Sequence, residues 1–490
     1  MGKNNAGPFK SIREYLDAVE RLELGIHIGD INQDEFEATA LIYKLIEKYG
    51  VVSAPVVFFD QIQSADQTFH NASTGNLFGN WKLEALALGL PIDGSSPQKH
   101  YQMALNAIED HINENGKWPT IEPKTINAQL ASCKENIVDE SQLDLLDFAF
   151  LQTNPGDNGH YINTGSLILE DEDLGRNVGT YRCQIKSEKR IGINPQVNQD
   201  GWKFLKKLKD QGKQYAQAAI VLGTDPITFS LSGSKVAKYG EDELEIAGGL
   251  MGKPIEVVSC ETNDISVPAH AELIIEGEIP LDKFEKEGPF GEMYGYLGAE
   301  QKENFLLHVK TITHRNNPII PNQFTGITRG CLTAPIEGNL NRRFRDQYDE
   351  FIGLHYPLEY PGFCFVRIKN TDIKKALEIG ESITKSLKIS KITVLLDEDV
   401  DIHNLNEVLH AIGSRWQPSR SSTIIDEANG LSGDPSSIEK GKGSRIVINA
   451  TRNSTEQISG KTFPKMNIEI LKDSFPDVLE KIEEKFKEIL

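Results

Sequence analysis

Residues 305–313 read Phe-Leu-Leu-His-Val-Lys-Thr-Ile-Thr, a run with no Gly or Pro and with four β-branched side chains. Such residues pack well on a pleated surface, and the run reads as a long strand. The same texture recurs upstream at 271–277, 255–260, 218–223, 180–186 and 166–169. Gly, Asn and Asp turn signals separate these stretches. Residues from about 120 to 316 therefore predict an antiparallel sheet or small barrel, interrupted by one helix over 201–217.

Outside this stretch the pattern changes to α/β. In the first segment Ile12, Tyr15, Leu16, Val19 and Leu22 share one helical face, residues 35–49 repeat the pattern, and 51–59 reads as a buried strand. Beyond the centre, the charged stretch 339–350 predicts a helix crossing between domains. Strands are expected at 364–368 and 392–396, helices at 373–387 and 404–413, and a Gly/Ser/Asp-rich loop at 430–443. The tail 475–490 predicts one amphipathic helix carrying Val478, Ile482, Phe486 and Ile489 on one side. The expected organisation is an α/β domain over 1–119, a β-rich domain over 120–320, a linker helix region over 321–354, and a C-terminal α/β domain with a terminal helix over 355–490.

Composition narrows the role. At 490 residues the chain exceeds one ordinary core. Its 52 Lys and Arg face 72 Asp and Glu, a net charge of −20 that repels nucleic acid and anionic lipid. No apolar run approaches a bilayer span, and the first ten residues lack a secretory pattern. Five scattered cysteines without a C-x-x-C pair fit reduced thiols. The expectation is a cytoplasmic enzyme with a small-molecule substrate and no nucleic-acid or membrane partner.

Three clusters carry chemistry. Glu287-Gly288-Pro289-Phe290-Gly291-Glu292 holds two carboxylates in a segment too rich in Gly and Pro for a helix. A shaped turn can aim both at one point and drive their pKa values apart; the same spacing also fits an exposed acidic loop. In Asn177-Val178-Gly179-Thr180-Tyr181-Arg182-Cys183-Gln184, strand alternation puts Thr180, Arg182 and Gln184 on one face and Tyr181 and Cys183 on the other. A buried guanidinium there would meet a substrate carboxylate, one of the glutamates, or a structural ion-pair partner. Ser230-Leu231-Ser232-Gly233-Ser234 offers hydroxyls and backbone N–H groups for a phosphate, or is a plain loop.

An ordered string follows: Pro254-Ile255-Glu256-Val257-Val258-Ser259-Cys260-Glu261-Thr262, Val267-Pro268-Ala269-His270-Ala271-Glu272, Glu276-Gly277-Glu278, then Glu287 through Tyr296. This string resembles the UbiD family of decarboxylases. The first α/β segment and the stretch from Asp397 to Val408 are similar too, so the resemblance spans nearly the whole chain. It implies a central split β-barrel binding prenylated FMN, with Mn²⁺ and K⁺ at the cofactor phosphate. It also implies non-oxidative, reversible decarboxylation of an aromatic, heteroaromatic or α,β-unsaturated carboxylic acid. The family's N-x-G-x-Y-R-x-Q pattern falls on Asn177 to Gln184. By resemblance Arg182, Glu287 and Glu292 are catalytic, with Glu292 the proton donor. Asn177, Val178, Thr180, Arg182, Gln184, Gln196, Ser232, Gly233 and Ser234 are then expected at the cofactor.

Two departures stand out. The family's metal ligands are Asn, His and Glu. Asn177 and Glu243 match, but Val197 and Asn198 stand where the His is expected, which leaves Asn198 or water as the substitute ligand and predicts weaker metal binding. At Thr325-Gly326-Ile327-Thr328-Arg329, relatives often carry a Pro pair and acidic residues. Thr325 and Arg329 are expected to border the substrate pocket, with a surface arginine as the other reading. The resemblance further implies a flavin prenyltransferase as cofactor supplier and a homodimer or larger homo-oligomer built through the C-terminal region. A two-carboxylate glycosidase would account for Glu287 and Glu292 but leaves Arg182 without a role. A non-catalytic or carboxylating subunit of a carboxylase complex is the remaining alternative, and the joint presence of Arg182, Glu287 and Glu292 argues against its being inert.

Overall fold

The computed structural model describes residues 7–112, 116–197, 199–430, 433–439 and 441–487. The chain forms two compact units, one of Met1–Asp346, Pro357–Pro361 and Leu431–Gly441, the other of Gln347–Tyr356, Gly362–Gly430 and Lys442–Leu490.

At the centre of the first unit lies a ten-stranded sheet. Its order is Tyr161–Ile162, Cys183–Ser187, Arg190–Ile193, Gln301–His314, Leu273–Pro280, Tyr215–Leu222, Ser166–Asp171, Gly175–Thr180, with Phe284–Glu287 and Asn136–Asp139 also paired to Gln301–His314. The strand expected at 305–313 is thus the longest and the hub, and its four partners run antiparallel to it. A register shift lies beside Gly277, where a Cβ would fall 2.2 Å from the His308 carbonyl oxygen, so only glycine fits.

The apolar run in Tyr215–Leu222 is explained by burial on both faces. Ala218, Ile220 and Leu222 join one core with Phe204, Leu205 and Leu208 of the helix Asp200–Asp210. Ala219 and Val221 join another with Tyr101 and Leu105 of Pro97–His111 and Leu244 of Glu243–Met251. At about 1.5–3 kcal/mol per buried aliphatic side chain, these two layers hold the sheet between helices.

The sheet is open, and two residues link one edge strand to the strand beside its other edge. Gly175–Thr180 ends one edge, and Cys183–Ser187 lies one strand in from the other. Three Cα steps span at most about 11 Å, so the sheet must roll until its ends nearly meet. The strand expected over 180–186 is therefore broken at Tyr181-Arg182, and those two residues cross the split.

Before the centre, Ser11 caps the helix Ile12–Arg21 and Ile12, Tyr15, Leu16 and Val19 are buried, as the spacing predicts. The strands Gly25–Ile28, Val56–Ser64 and Gln67–Gly75 form a second sheet that Ile320–Asn322 completes from beyond the centre. In the second unit, Phe363–Ile368, Ile392–Leu396 and Lys442–Asn449 run parallel, flanked by Phe351–His355 and Ser422–Asn429. The tail helix expected over 475–490 is the shorter Val478–Lys485, and a separate helix, Asn467–Ser474, precedes it. Pro476 lacks an N–H and disfavours helix at the residue before it. Ile489 lies outside the described residues. No helix among the described residues is long and apolar enough to cross a membrane.

Candidate active site

The strand Phe284–Glu287 ends at Glu287 because Gly288, at φ +87°, adopts a conformation that side chains avoid. The chain then turns through Pro289 into Phe290–Gly291, which pairs with Leu297–Gly298 and delivers Glu292. The segment is the shaped turn expected, with Glu287 fully buried and Glu292 retaining 24% of its side-chain surface.

Arg182 reaches this turn from the sheet split. Its backbone is held on one side by the Asn194 N–H, which donates to the Arg182 carbonyl at 3.3 Å. On the other, the neighbouring Tyr181 hydroxyl accepts the Gly201 N–H at 2.9 Å. Tyr181 and Cys183 point into one core, so Arg182 is directed the opposite way. Its Nη1 donates to Glu292 Oε1 at 2.6 Å and its Nη2 to Glu287 Oε2 at 2.8 Å, while the guanidinium lies over the Phe290 ring at 4.9 Å. Asn194 Nδ2 adds a bond to Glu287 Oε2 at 3.0 Å. Burial works against the arginine's charge, but Glu287 and Glu292 together outweigh it and hold the guanidinium pKa above its ordinary value. Among the described residues Arg182 Nε is buried without a hydrogen-bond partner.

A second group forms at the strand Gly175–Thr180. Glu243, first residue of its helix, accepts the Val178 N–H on Oε2 at 2.9 Å, which brings its carboxyl beside Asn177. Burial pushes that carboxyl up to about 8. Among the described residues Asn177 Oδ1 is buried with no partner. A cation placed between two such oxygens would offset the burial and fill the orphaned acceptor. Asn198 lies outside the described residues, and Gln196 is half-buried, its N–H donating to Gln199 Oε1 at 2.7 Å.

The serine segment differs from expectation. It is the last turn of the helix Pro226–Gly233, where N–H groups are spent on the helix and free carbonyls gather, so it is not a cradle of open N–H donors. Ser232 Oγ bonds Ser166 Oγ, Thr180 Oγ1 and the Phe229 carbonyl at 2.7, 2.9 and 2.7 Å, and Ser234 Oγ donates to the Leu231 carbonyl at 3.3 Å. What remains open is Gly233, where a Cβ would meet only Cys331 and Thr180 at 3.7 and 3.9 Å. Val178 is buried in the core and offers only its backbone.

Gln184 is also occupied. Its Nε2 donates to the Asn158 carbonyl, and its Oε1 accepts from Lys186 Nζ and from the Gly288 N–H at 3.4 Å. The amide therefore braces the turn between Glu287 and Glu292. Arg329 is neither at the surface nor free for substrate. It is 2% exposed and donates to Glu84, to Thr333 Oγ1 at 2.6 Å and to the Phe78 carbonyl at 3.0 Å. Thr325 is half-buried, and the adjoining Gly326 packs so closely on the turn that a Cβ would sit 2.7 Å from the Glu292 carbonyl oxygen. Sequence reasoning passed over Asp157 and Asn194, which lie far along the chain from the turn they touch.

Comparison with known proteins agrees with this geometry. Residues 124–328 match the UbiD family, the 3-octaprenyl-4-hydroxybenzoate carboxy-lyase Rift-related domain, and residues 332–450 match the C-terminal domain of the same carboxy-lyases. The phenolic acid decarboxylase of Sedimentibacter hydroxybenzoicus is 28% identical over 98% of each chain. The closed form of that organism's vanillic acid decarboxylase superposes with a TM-score of 0.80 at 26% identity over 99% of each chain. The UbiD-class enzyme HmfF of Pelotomaculum thermopropionicum, in complex with FMN, gives 0.80 at 25% identity, covering 96% of this chain and 98% of its own. An evolved dimeric form of HmfF in complex with prFMN gives 0.75 at 25% identity over 90% of this chain and 95% of its own. These matches define the chain as a carboxy-lyase. The chain belongs to the UbiD family.

Proposed function

We propose that this protein decarboxylates an aromatic, heteroaromatic or α,β-unsaturated carboxylic acid, non-oxidatively and reversibly, with prenylated FMN as cofactor and Glu292 as proton donor. The observation that carries this reading is the fork of Arg182. One arm ends on Glu287, which is fully buried, and the other on Glu292, which keeps accessible surface. The buried acid anchors the guanidinium. The accessible acid is the one placed to meet a substrate carbon, and it must be neutral to give its proton.

Asn177, Glu243 and Asn198 would hold Mn²⁺ at the cofactor phosphate, with K⁺ nearby. The orphaned Asn177 Oδ1 and the buried Glu243 carboxyl fit a cation. Gly233 and Thr180 leave space for the cofactor along the strand Gly175–Thr180. When bound, prenylated FMN supplies the sink for the electron pair left as CO₂ departs. The protein binds the acid, excludes water and returns a proton through Glu292. The relatives that hold FMN and prFMN support this cofactor class. A flavin prenyltransferase would supply the cofactor, and the protein would act in the cytoplasm as a homodimer or larger homo-oligomer.

Co-expression with a flavin prenyltransferase tests the reading. The purified protein should absorb in the near-ultraviolet and visible, and should decarboxylate members of a panel of aromatic and acrylic acids. A colourless, inactive protein after co-expression would refute it.

A further inference from the structure

Beneath the catalytic turn runs a second loop, residues 154–159, and the two are tied at several points. The Gly291 N–H donates to Asp157 Oδ1 at 2.7 Å, and the Asn158 N–H donates to the Pro289 carbonyl at 3.0 Å. Gln184 Nε2 holds the Asn158 carbonyl from the sheet side. Asp157 is 6% exposed, and its carboxylate is met by backbone groups, the Gly291 N–H across the chain and Asn154 within its own loop. Such burial is costly for an acid whose one long-range hydrogen bond goes to the backbone next to Glu292.

We infer that Asp157 is a positioning residue, whose carboxylate grips the Gly291 N–H and so fixes where Glu292 presents its acid to Arg182. This rests on the reading of Glu292 as proton donor. The groups around Asp157 are consistent with a tunable grip. Burial raises its carboxyl to about 6, while the Gly291 N–H and Arg182 favour its charge and Glu287 opposes it; Tyr161 also lies within its field. An ionised acceptor makes a hydrogen bond roughly twice as strong as a neutral one. The grip is therefore firm above about pH 6 and slackens below it, as Asp157 takes up its proton.

The test uses holoenzyme loaded with prenylated FMN. Asp157→Ala should keep cofactor absorbance and KM but lose kcat by about tenfold or more, the scale of a small misplacement at the reacting centre. It should also speed deuterium exchange of the Gly291 amide. Asp157→Asn keeps the shape and an acceptor oxygen, so it should fold, retain much of kcat, and lack the acid limb expected of the native enzyme near pH 6. Unchanged kcat in Asp157→Ala, or an acid limb in Asp157→Asn identical to the native one, would overturn the inference. Glu292→Gln, assayed alongside, separates the two ideas: turnover surviving there sinks the donor assignment, while the amide exchange still reports whether Asp157 grips the turn.

Discussion

Arg182 Nη1 lies 2.6 Å from Glu292 Oε1, a contact that joins residues 110 apart in the chain across the split of the central sheet. The same guanidinium is committed to Glu287, so Glu292 is the partner that can be changed without stranding a buried charge. Glu292→Gln keeps the shape and loses the transferable proton. Turnover should fall by about 10²–10⁴-fold while cofactor absorbance and thermal stability stay near native. Steady-state kinetics on loaded enzyme would check it, and near-native kcat would exclude Glu292 as the donor.

Removing the arginine has a different signature. Arg182→Ala leaves the fully buried Glu287 beside Asn194 and Tyr161, without the guanidinium's charge. An uncompensated buried charge costs about 3–5 kcal/mol, so the variant should unfold at markedly lower denaturant as well as lose turnover. The double variant Arg182→Ala, Glu287→Gln should recover much of that stability without recovering activity. A denaturation series across the pair measures the coupling.

The metal reading turns on the orphaned oxygen of Asn177. Asn177→Ala should lower Mn²⁺ content and cofactor retention together, because metal and phosphate would share one shell. Asn198→Ala should do the same if that residue replaces the family histidine, and His installed at 197 or 198 should raise retention at one of the two positions. Metal analysis showing full Mn²⁺ occupancy in native protein and in both alanine variants would rule the account out.

Glu84 and Arg329 make the opposite case, a buried ion pair with a structural duty. The Glu84 carboxylate accepts the N–H of Thr333 and Ala334 at 2.8 and 3.2 Å, so it caps the start of the helix Ala334–Gln347 while neutralising Arg329. Glu84→Ala should cost about 3–5 kcal/mol of stability, and the molecules that stay folded should show native KM. A large rise in KM at unchanged stability would return Arg329 to the substrate pocket.

The tail carries an assembly prediction. Phe475, Leu479, Ile482 and Phe486 are 62%, 38%, 41% and 40% exposed, and neither short helix buries a residue. Helices of eight residues are marginal alone, so this apolar strip needs a partner surface. Deleting the residues after Ser474 should reduce the oligomer mass while the flavin site still fills. Light scattering giving the native mass for the truncated protein would defeat the prediction.

Local patterns in the chain were enough to specify the elements that depend on near neighbours. The helical face of Ile12, Tyr15, Leu16 and Val19, the apolar run ending at Leu222 and the Gly-Pro turn after Glu287 each follow from side-chain period or backbone freedom within a few residues. The opposed directions of Tyr181 and Arg182 follow in the same way. Motif order likewise singled out Arg182, Glu287 and Glu292 before any contact between them was visible. Tertiary structure alone decided what those groups touch. The break at 181–182 arises because a rolled sheet must pass the chain between its ends, and strand alternation carries no sign of that closure. Asp157 under Gly291, Glu84 on Arg329 and Ile320–Asn322 beside Gln67–Gly75 join residues separated by 134, 245 and about 250 positions. Their energies come from burial and desolvation, which exist only once distant segments exclude water together. Sequence spacing encodes the directions of side chains, and only packing sets the distances at which they meet.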